Sequence, residues 1–311
     1  METLNYFKAL ADITRLRLLN ILLNHELSVN ELVTILGMGQ SGISRNLKIL
    51  TETGFLECRR DGSWAFYYVT KQGACRRFID SIKYVFNHED VFHDDLTHTE
   101  HIIQDRKLET VRFFNKIASK WDLLKSEILG DFELNKVIIG EMRKCDVVVD
   151  LGCGTGELMQ ELKTVANRVI GVDSSSKMLD QARNRFKANE QEFDLRLGEL
   201  EHLPLTNEEA DCAVLSMVLH HLSRPELVIA ELARVLKKSG TLIIVDYEKH
   251  ADESMRRIYG DRWLGFGIDE VTDFLTPKGL VIAKIRSFKI QKRLTLNLFK
   301  SFFSNESLAS V

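Results

Sequence analysis

A glycine-rich turn after an apolar run is the strongest chemical signal in this sequence. Residues 147–162 are VVVDLGCGTGELMQEL, in which Gly152, Gly154 and Gly156 alternate with other residues. Glycine lets the backbone approach a ligand closely, because no Cβ stands in the way. The free amides at the start of a following helix add hydrogen-bond donors. The turn therefore predicts a binding site for a nucleotide-like molecule.

An acidic residue 21 positions after Gly152 narrows the choice of ligand. Asp173 ends the segment RVIGVD, and a carboxylate at the end of a second strand can hold the hydroxyls of a ribose. The glycine spacing is G-x-G-x-G and not the G-x-G-x-x-G that places a pyrophosphate on a helix. Together the two features predict an adenosine ligand without a diphosphate.

Histidines in the same half of the chain are candidates for proton transfer. They are His220, His221 and His250. His221 follows the fourth predicted strand and could face the ligand, although a single histidine there is as often a packing residue. His221 and His250 are therefore the candidate catalytic residues.

A polar helix face near the N-terminus has the composition of a DNA-reading surface. In the segment QSGISRNLKILTET, Ile43, Leu47 and Leu50 share one face of a predicted helix. The opposite face carries hydrogen-bonding and basic side chains, which suit the major groove and the phosphates: Gln40, Ser41, Ser44, Arg45 and Lys48. Arg59 and Arg60 lie beside a predicted hairpin tip, where a wing would meet the DNA backbone or minor groove. A merely solvated polar helix is the alternative.

The sequence predicts further short helices and strands that would pack around this helix. Apolar residues recur every three or four positions from Asn5 to Leu23, which indicates a helix. A second helix begins at Ser28, with Glu31 three residues later, and ends at Gly37. Two strands flank Asp61-Gly62, a two-residue hairpin signal. These elements predict an α+β winged helix-turn-helix domain.

From Val147 onward, predicted strands and helices alternate, which is typical of an α/β domain with a mostly parallel sheet. The strands are 147–151, 168–172, 193–197, 211–216 and 241–246, and the helices are 156–164, 176–188 and 225–237. Residues 280–303 predict a final antiparallel strand pair. We therefore predict a DNA-binding domain at 1–87, a helical linker and dimerisation region at 88–125, and a ligand-binding domain at 126–311.

Composition sets the expected environment. The net charge is −3, divided into +3 over residues 1–87 and −6 over the rest, so the basic part is the one expected to meet phosphate. Five scattered cysteines argue against a disulfide framework and favour a reducing cytoplasm. No apolar run approaches the roughly 20 residues that span a bilayer, and the N-terminus lacks the pattern of a signal peptide. We expect a cytoplasmic protein with no membrane partner.

The front segment resembles a family of regulators. FKALADITRLRLLNILL and ELSVNELVTILGMGQSGISRNLKILTETGFLECRRDGSWAFYYV are similar to ArsR-type winged-helix repressors, which implies a homodimer that binds a double-stranded DNA operator. Many members sense metals through Cys-Val-Cys in the second helix. This chain has Ser28-Val29-Asn30 there, so the thiolate ligands are lost and metal sensing at that place does not carry over.

A histidine-rich acidic run is an alternative metal site. It contains His88, His93, His98 and His101, of which the last two are spaced to share a helix face. The spacing does not match a ligand pattern expected from the relatives, and a solvated acidic segment is favoured. We predict no metal.

The back segment resembles class I S-adenosylmethionine-dependent methyltransferases. The motifs VVVDLGCGTGELMQEL, VIGVDSSSKMLDQA, LRLGELEHLPL, ADCAVLSMVLHHL and ARVLKKSGTLIIVD occur in the family's order. The resemblance implies a Rossmann-like domain with a seven-stranded sheet that binds S-adenosylmethionine or S-adenosylhomocysteine. Carried over residue by residue, the cofactor-binding set is Asp150, Gly152, Gly154, Asp173, Ser174, Met178, Glu199, Leu200, Ser216 and Met217.

The fusion as a whole resembles S-adenosylhomocysteine-responsive repressors of methionine-cycle genes. The favoured interpretation is a transcriptional regulator, acting as a repressor, whose methyltransferase-like domain senses the ligand. The alternative is an active small-molecule methyltransferase that also regulates its own operon. A metal-responsive repressor is the weakest interpretation. The absence of a convincing acceptor site favours the sensor over the enzyme.

Overall fold

The computed structural model of the chain describes residues 2–187 and 193–304. The chain divides into two units, Met1–Arg106 and Lys107–Val311. Each unit has its own apolar core. No helix among the described residues is both long and apolar enough to cross a bilayer.

The first unit is built of helices and a small sheet. In chain order its elements are α1 (Glu2–Leu10), α2 (Ile13–Leu22), β1 (Leu27–Ser28), α3 (Val29–Leu36), α4 (Gln40–Glu52), β2 (Leu56–Asp61), β3 (Trp64–Val69), α5 (Gly73–Ile82) and the start of α6 (Asp90–Ile117). The three strands form an antiparallel sheet in the order β1-β3-β2. This arrangement confirms the predicted helix-turn-helix with a hairpin.

Local signals place α3 and α4 as the sequence predicts. Ser28 caps α3, because its hydroxyl accepts the backbone N–H of Glu31 while the Glu31 side chain accepts the backbone N–H of Ser28. Gly37 ends the helix at φ 63°. On α4, the predicted apolar face is fully buried in the core of the unit: Ile43, Leu47 and Leu50. The opposite face of α4 is therefore held outward.

The single helix expected over Asn5–Leu23 is wrong, since the segment forms α1 and α2. Asp12 lies between them in an extended conformation and accepts the backbone N–H of Arg15, which starts α2. The Arg15 side chain in turn donates to the carbonyl of Ala9 near the end of α1. Because of this break, Phe7 and Ile13 are exposed although they continue the apolar periodicity.

The hairpin loop lies one residue later than predicted. Asp61 is the last residue of β2 and pairs with Trp64, so the two loop residues are Gly62 and Ser63. Gly62 has φ 56°, a left-handed conformation that glycine adopts without strain. Asp61 itself is buried, so its side chain belongs to the sheet and not to the turn.

The second unit begins within α6 and contains α7 (Trp121–Leu129), α8 (Leu134–Gly140), β4 (Cys145–Leu151), α9 (Glu157–Leu162), β5 (Ala166–Asp173), α10 (Ser176–Phe186), β6 (Phe193–Leu197), β7 (Ala210–Ser216), α11 (Pro225–Val235), β8 (Leu236–Tyr247), α12 (Ser254–Tyr259), α13 (Ile268–Leu275), β9 (Leu280–Lys289) and β10 (Thr295–Phe303). The alternation of strands and helices confirms the predicted α/β architecture. β8 is longer and α9 is shorter than the predicted segments.

Within the described residues, seven strands form one sheet in the order β6-β5-β4-β7-β8-β10-β9. The first five are parallel, and β10 runs antiparallel to both of its neighbours. The predicted mostly parallel seven-stranded sheet and its final antiparallel pair are confirmed. The chain order reverses between β4 and β7, and ligands of open α/β sheets bind at the carboxyl ends of strands at such a point.

The segment predicted as a helical linker, residues 88–125, is dominated by α6, which continues without a break past Arg106. A 3₁₀ turn, Ala118–Lys120, joins α6 to α7. The domain limits at 87 and 125, and a dimerisation role for this segment, stay predictions.

Candidate ligand site and nucleic-acid interface

The glycine turn lies where β4 ends, at the carboxyl edge of the sheet. Gly152 and Gly154 both have positive φ, 66° and 54°. A Cβ on Gly152 would stand 2.5 Å from Cγ2 of Val218, so no larger residue fits there without displacement. A Cβ on Gly154 would lie 3.7 Å from the indole nitrogen of Trp121. Both positions favour glycine because of their positive φ, and Gly152 is further restricted by its close approach to Val218.

Asp173 is fixed at the end of β5 beside this turn. Its Oδ2 accepts the backbone N–H of Gly154 at 2.8 Å, and its Oδ1 accepts the backbone N–H of Ser175 at 2.8 Å. Burial raises the pKa of Asp173 to about 6, against these backbone hydrogen bonds, which lower it. Each carboxylate oxygen retains a further lone pair. The arrangement can therefore accept hydroxyl groups from a ligand above pH 6.

A second buried carboxylate lies one strand away. Asp150 is near the end of β4 and is almost fully buried. Burial raises its pKa to about 7, Lys125 opposes that rise, and the charge of Asp173 adds to it. Two neighbouring carboxylates in a buried site leave the region receptive to a positively charged or hydrogen-bond-donating ligand group.

The residues expected at the adenine follow β5 and β6. Ser174 is half-buried and comes directly after Asp173, while Met178 lies buried on the first turn of α10. β6 pairs Leu197 with Asp173, so Glu199 and Leu200 lie just beyond the same edge. Leu200 is buried and Glu199 is exposed. The fold thus groups these predicted residues along one edge of the sheet.

Ser216 and Met217 leave the sheet at the end of β7, on the other side of β4. Met217 has φ 59°, which is unusual for a residue other than glycine, and its N–H donates to the carbonyl of Val245 at 2.8 Å. Such backbone strain persists only where surrounding contacts enforce it, and it clusters at ligand sites. All ten predicted cofactor residues lie at or next to the carboxyl ends of β4 to β7.

Sequence reasoning missed the contribution of the α6–α7 segment. Asn115 of α6 accepts a hydrogen bond from the Ser175 hydroxyl at 2.8 Å. Lys107 of the same helix is 3.4 Å from Glu199 and 3.3 Å from Glu201. The segment has the sequence pattern of an ordinary charged helix, so its sequence gave no signal of this second role.

Of the two candidate catalytic histidines, His221 is buried and His250 is half-buried. The His221 ring is buried, packs edge-to-face on Phe114 at 4.7 Å, and places Nδ1 3.2 Å from the carbonyl of Gly260. Burial and the neighbouring His220 lower the pKa of His221, so its ring is neutral near pH 7. His250 accepts the backbone N–H of Asp252 through Nδ1 at 3.2 Å. Their catalytic assignment stays a prediction.

The predicted DNA-reading face lies on the solvent side of α4. Its five members are all exposed: Gln40, Ser41, Ser44, Arg45 and Lys48. Lys48 is only loosely paired, 3.7 Å from an exposed Glu52. The face therefore presents exposed basic and hydrogen-bonding side chains that are available to an external partner.

The two hairpin arginines differ from each other. Arg60 is exposed on β2 near the loop. Arg59 is half-buried, donates to Glu26 at 2.8 Å and lies 6.0 Å from the centre of the Phe66 ring. Arg60 is the more exposed of the two and is therefore the better placed to contact phosphate.

The histidine-rich run falls at the start of α6 and just before it. His93, His98 and His101 are exposed, and the side chain of His88 lies outside the described residues. Asp95 of this run is buried and forms a bidentate ion pair with Arg17. The Asp95 carboxylate is therefore engaged by Arg17 and has a structural role in the first unit.

Two family models match the chain. Residues 12–57 match bacterial regulatory proteins of the arsR family, and residues 149–244 match a methyltransferase domain. A demethylmenaquinone methyltransferase of Thermotoga maritima is 33% identical over 147 residues, which are 45% of this chain and 62% of that protein. An uncharacterised 37.1 kDa protein of a Streptomyces fradiae transposon is 37% identical over 107 residues, 33% of this chain and 31% of that protein. The chain therefore spans between about a third and just under two thirds of these relatives.

Solved structures share the fold of the second unit. One is a chain of the complex between the Haloferax volcanii Trm112 methyltransferase activator and a methyltransferase, with a TM-score of 0.50 and 21% identity over 60% of this chain and 96% of that one. Another is the YcgJ protein of Bacillus subtilis, with a TM-score of 0.50 and 17% identity over 55% of this chain and 98% of that one. At these identities the likeness concerns the fold alone.

Proposed function

We propose that this chain, in which an ArsR-family helix-turn-helix domain is joined to a methyltransferase domain, is a DNA-binding transcriptional regulator whose methyltransferase domain binds S-adenosylmethionine or S-adenosylhomocysteine as an effector. By its resemblance to S-adenosylhomocysteine-responsive repressors, it represses genes of the methionine cycle. The ligand acts by favouring one of two protein states with different affinities for DNA.

The observation that carries the proposal is the continuity of α6. Its first part is fixed in the regulator unit: the buried Asp95 accepts two hydrogen bonds from Arg17, at 2.7 and 2.8 Å. Arg106, at the end of this part, pairs with Glu31, the residue that completes the cap of α3. α3 is the helix that precedes the DNA-reading α4. This part of α6 is thus tied to the helix-turn-helix.

The remaining part of α6 touches the segments expected to hold the ligand. Asn115 accepts hydrogen bonds from the Ser175 hydroxyl and the Lys177 backbone, directly after Asp173. Lys107 lies between the carboxylates of Glu199 and Glu201. A ligand that engages Glu199 competes with Lys107 for that carboxylate, and a ligand that engages Asp173 lies beside Ser175, the partner of Asn115. The same helix then carries that change towards the regulator unit.

The ligand chemistry follows from the site. The Asp173 carboxylate, held by the backbone of Gly154, suits a ribose, and the buried Met178 and Leu200 offer apolar surface for an adenine. The carboxylates of Asp150 and Asp173 suit a ligand with ammonium or sulfonium groups. These residues fit the adenosyl amino acid that the methyltransferase resemblance implies.

A homodimer completes the proposal. Apolar side chains are exposed on α1 and on the 3₁₀ segment Lys83–His88, namely Leu4, Phe7, Tyr84 and Val85. Exposed apolar groups of this size favour association with another protein surface. Light scattering coupled to size exclusion tests this: the wild type is expected as a dimer, and Phe7→Glu/Tyr84→Glu as a monomer.

The test is fluorescence anisotropy on the DNA upstream of the gene, at fixed salt, with each ligand titrated separately. One ligand is expected to change the DNA affinity about tenfold or more, a coupling of about 1.4 kcal/mol. Asp173→Ala abolishes the response and keeps basal DNA binding, whereas Asp180→Ala, at a half-buried α10 residue that pairs with Lys177 and Arg183, changes neither. If both ligands bind and neither changes DNA affinity, the sensor proposal is wrong and the alternative, an active methyltransferase, gains support.

A second pair of variants tests the DNA face. Arg45→Ala removes an exposed cation from α4 and is expected to weaken operator binding, with ligand affinity unchanged. Arg77→Ala removes an exposed cation from α5 and serves as the charge-matched control. Equal losses in the two variants would show that the effect comes from overall charge and not from α4.

A further inference from the structure

Three side chains of the types that bind metal ions lie close together inside the second unit, beyond the end of β7. His220 and His221 lie on the 3₁₀ turn Leu219–His221, and Asp261 follows α12. One ring nitrogen of each histidine and one Asp261 oxygen lie within 4.8 Å of one another, and all three residues are buried. They come from segments 40 residues apart in the chain, so the fold itself brings them together.

His220 is oriented in the manner of a metal ligand. Its Nδ1 is 2.8 Å from Oδ1 of Asp246, and its Nε2 is 3.7 Å from Oδ1 of Asp261. Asp246 is fixed in turn, because it accepts the backbone N–H of Tyr247 at 2.8 Å. A histidine whose Nδ1–H donates to a carboxylate presents the lone pair of Nε2, and this carboxylate–histidine pairing recurs behind metal sites.

Asp261 is the residue that needs a partner. Its side chain is 0% exposed, and neither of its carboxylate oxygens has a hydrogen-bond partner. The distance of 3.7 Å from Oδ1 of Asp261 to Nε2 of His220 is too long for a hydrogen bond. A buried carboxylate without a donor is costly unless a cation or a proton satisfies it.

His221 supplies the third donor. Its Nδ1 lies 3.2 Å from the carbonyl of Gly260 and 4.0 Å from Oδ1 of Asp261, and its buried Nε2 has no hydrogen-bond partner. His221 and Asp261 each have a buried polar atom without a partner, and the two side chains lie next to each other beside the oriented ring of His220.

We propose that His220, His221 and Asp261 bind one divalent transition-metal ion of the zinc class, with Asp246 as the carboxylate that orients His220. Two imidazoles and a carboxylate are ligands that zinc accepts, and three protein ligands leave a fourth position open. Metal–ligand bonds of about 2 Å place ligand atoms roughly 3.3 Å apart, so binding draws the side chains together by up to about 1.5 Å. The site is separate from the histidine-rich run and does not depend on the effector proposal.

The first experiment measures metal content and cobalt binding on the full chain. After treatment with a chelator, Co²⁺ is titrated and the visible d–d absorption is followed. One equivalent is expected to produce an intense, low-symmetry spectrum that Zn²⁺ then abolishes. Asp261→Asn and His221→Gln are expected to lose this spectrum, and Asp246→Asn to weaken binding about 10- to 100-fold. His202→Gln, an exposed histidine of the same unit, is the matched control and retains it.

Thermal unfolding separates a metal role from a purely structural one. Without metal, Asp261→Asn should unfold at the same temperature as the wild type or higher, because the amide removes an unpaired buried charge. With Zn²⁺, only the wild type and His202→Gln gain stability. The proposal is overturned if the folded wild type takes up no Co²⁺, if Asp261→Asn binds as tightly as the wild type, or if metal-free Asp261→Asn is strongly destabilised, since Asp261 would then have another partner.

Discussion

Glycine substitutions in the exposed middle of α6 test whether the helix transmits the ligand signal. Asp105 and Glu109 flank the boundary at Arg106 and Lys107, and both have exposed side chains. In the double variant Asp105→Gly/Glu109→Gly, each glycine lowers helix stability by about 1 kcal/mol relative to alanine. Neither position belongs to the proposed ligand site or the DNA face.

The size of the effect follows from comparing two free energies. The two glycines shift the balance from a continuous to a broken helix by about 2 kcal/mol. A tenfold ligand response corresponds to only about 1.4 kcal/mol. The anchors at either end stay in place: Asp95 with Arg17, and Asn115 with Ser175. We therefore expect the ligand-induced change in DNA affinity to fall below about threefold.

The assay has three readings: ligand affinity by calorimetry, DNA affinity without ligand, and the ratio of DNA affinities with and without ligand. Only the ratio should change. Asp105→Ala/Glu109→Ala removes the same two charges but favours the helix, so it should keep the full response. A glycine variant that responds as strongly as the alanine variant, despite lower helicity by circular dichroism, would refute transmission through α6.

Three further predictions concern local features. Because burial raises the pKa of Asp150 to about 7 and that of Asp173 to about 6, ligand affinity measured by calorimetry should fall as the pH drops through 7 and then below 6, and an affinity that stays constant from pH 7.5 to 5 would contradict ligand binding by these carboxylates. Ser28→Ala should lower the free energy of unfolding by about 1 kcal/mol in a urea titration, whereas Ser28→Thr, which keeps a capping hydroxyl, should lower it less. Gly152→Ala should abolish measurable ligand binding, since its Cβ would meet Val218 at 2.5 Å, and adding Val218→Ala should restore it only partly because the positive φ stays strained.

The sequence was sufficient where structure depends on near neighbours. The cap of α3 needs only Ser28 and Glu31, three positions apart, and it formed as predicted. The glycine turn after β4 is equally local, because an apolar strand, a turn that requires positive φ and a helix start are adjacent in the chain. The strand–helix alternation then determines a parallel sheet, and with it the edge at which Asp173 and Gly154 meet.

Errors arose where two local signals competed. Apolar periodicity over Asn5–Leu23 favoured one helix, but Asp12 can cap a new one, and the cap prevailed because it satisfies the backbone N–H of Arg15. At the hairpin, Asp61-Gly62 resembles a turn pair, yet burial of Asp61 opposite Trp64 moves the loop by one residue. The sequence pattern alone does not show whether a residue such as Asp61 will form the turn or be buried in the strand.

The long-range contacts of the site could not be predicted at all. Asn115 and Ser175 are 60 positions apart, and Lys107 and Glu199 are 92 apart. A charged amphipathic helix has the same sequence pattern whether its polar side chains meet water, a second subunit or a ligand loop. This is why the segment was assigned a linking role, and why the coupling between ligand and DNA must be tested at α6 itself. The motifs of the two domains imply DNA as the ligand of one and S-adenosylmethionine or S-adenosylhomocysteine as the ligand of the other, and the α6 variants test the proposed coupling between them.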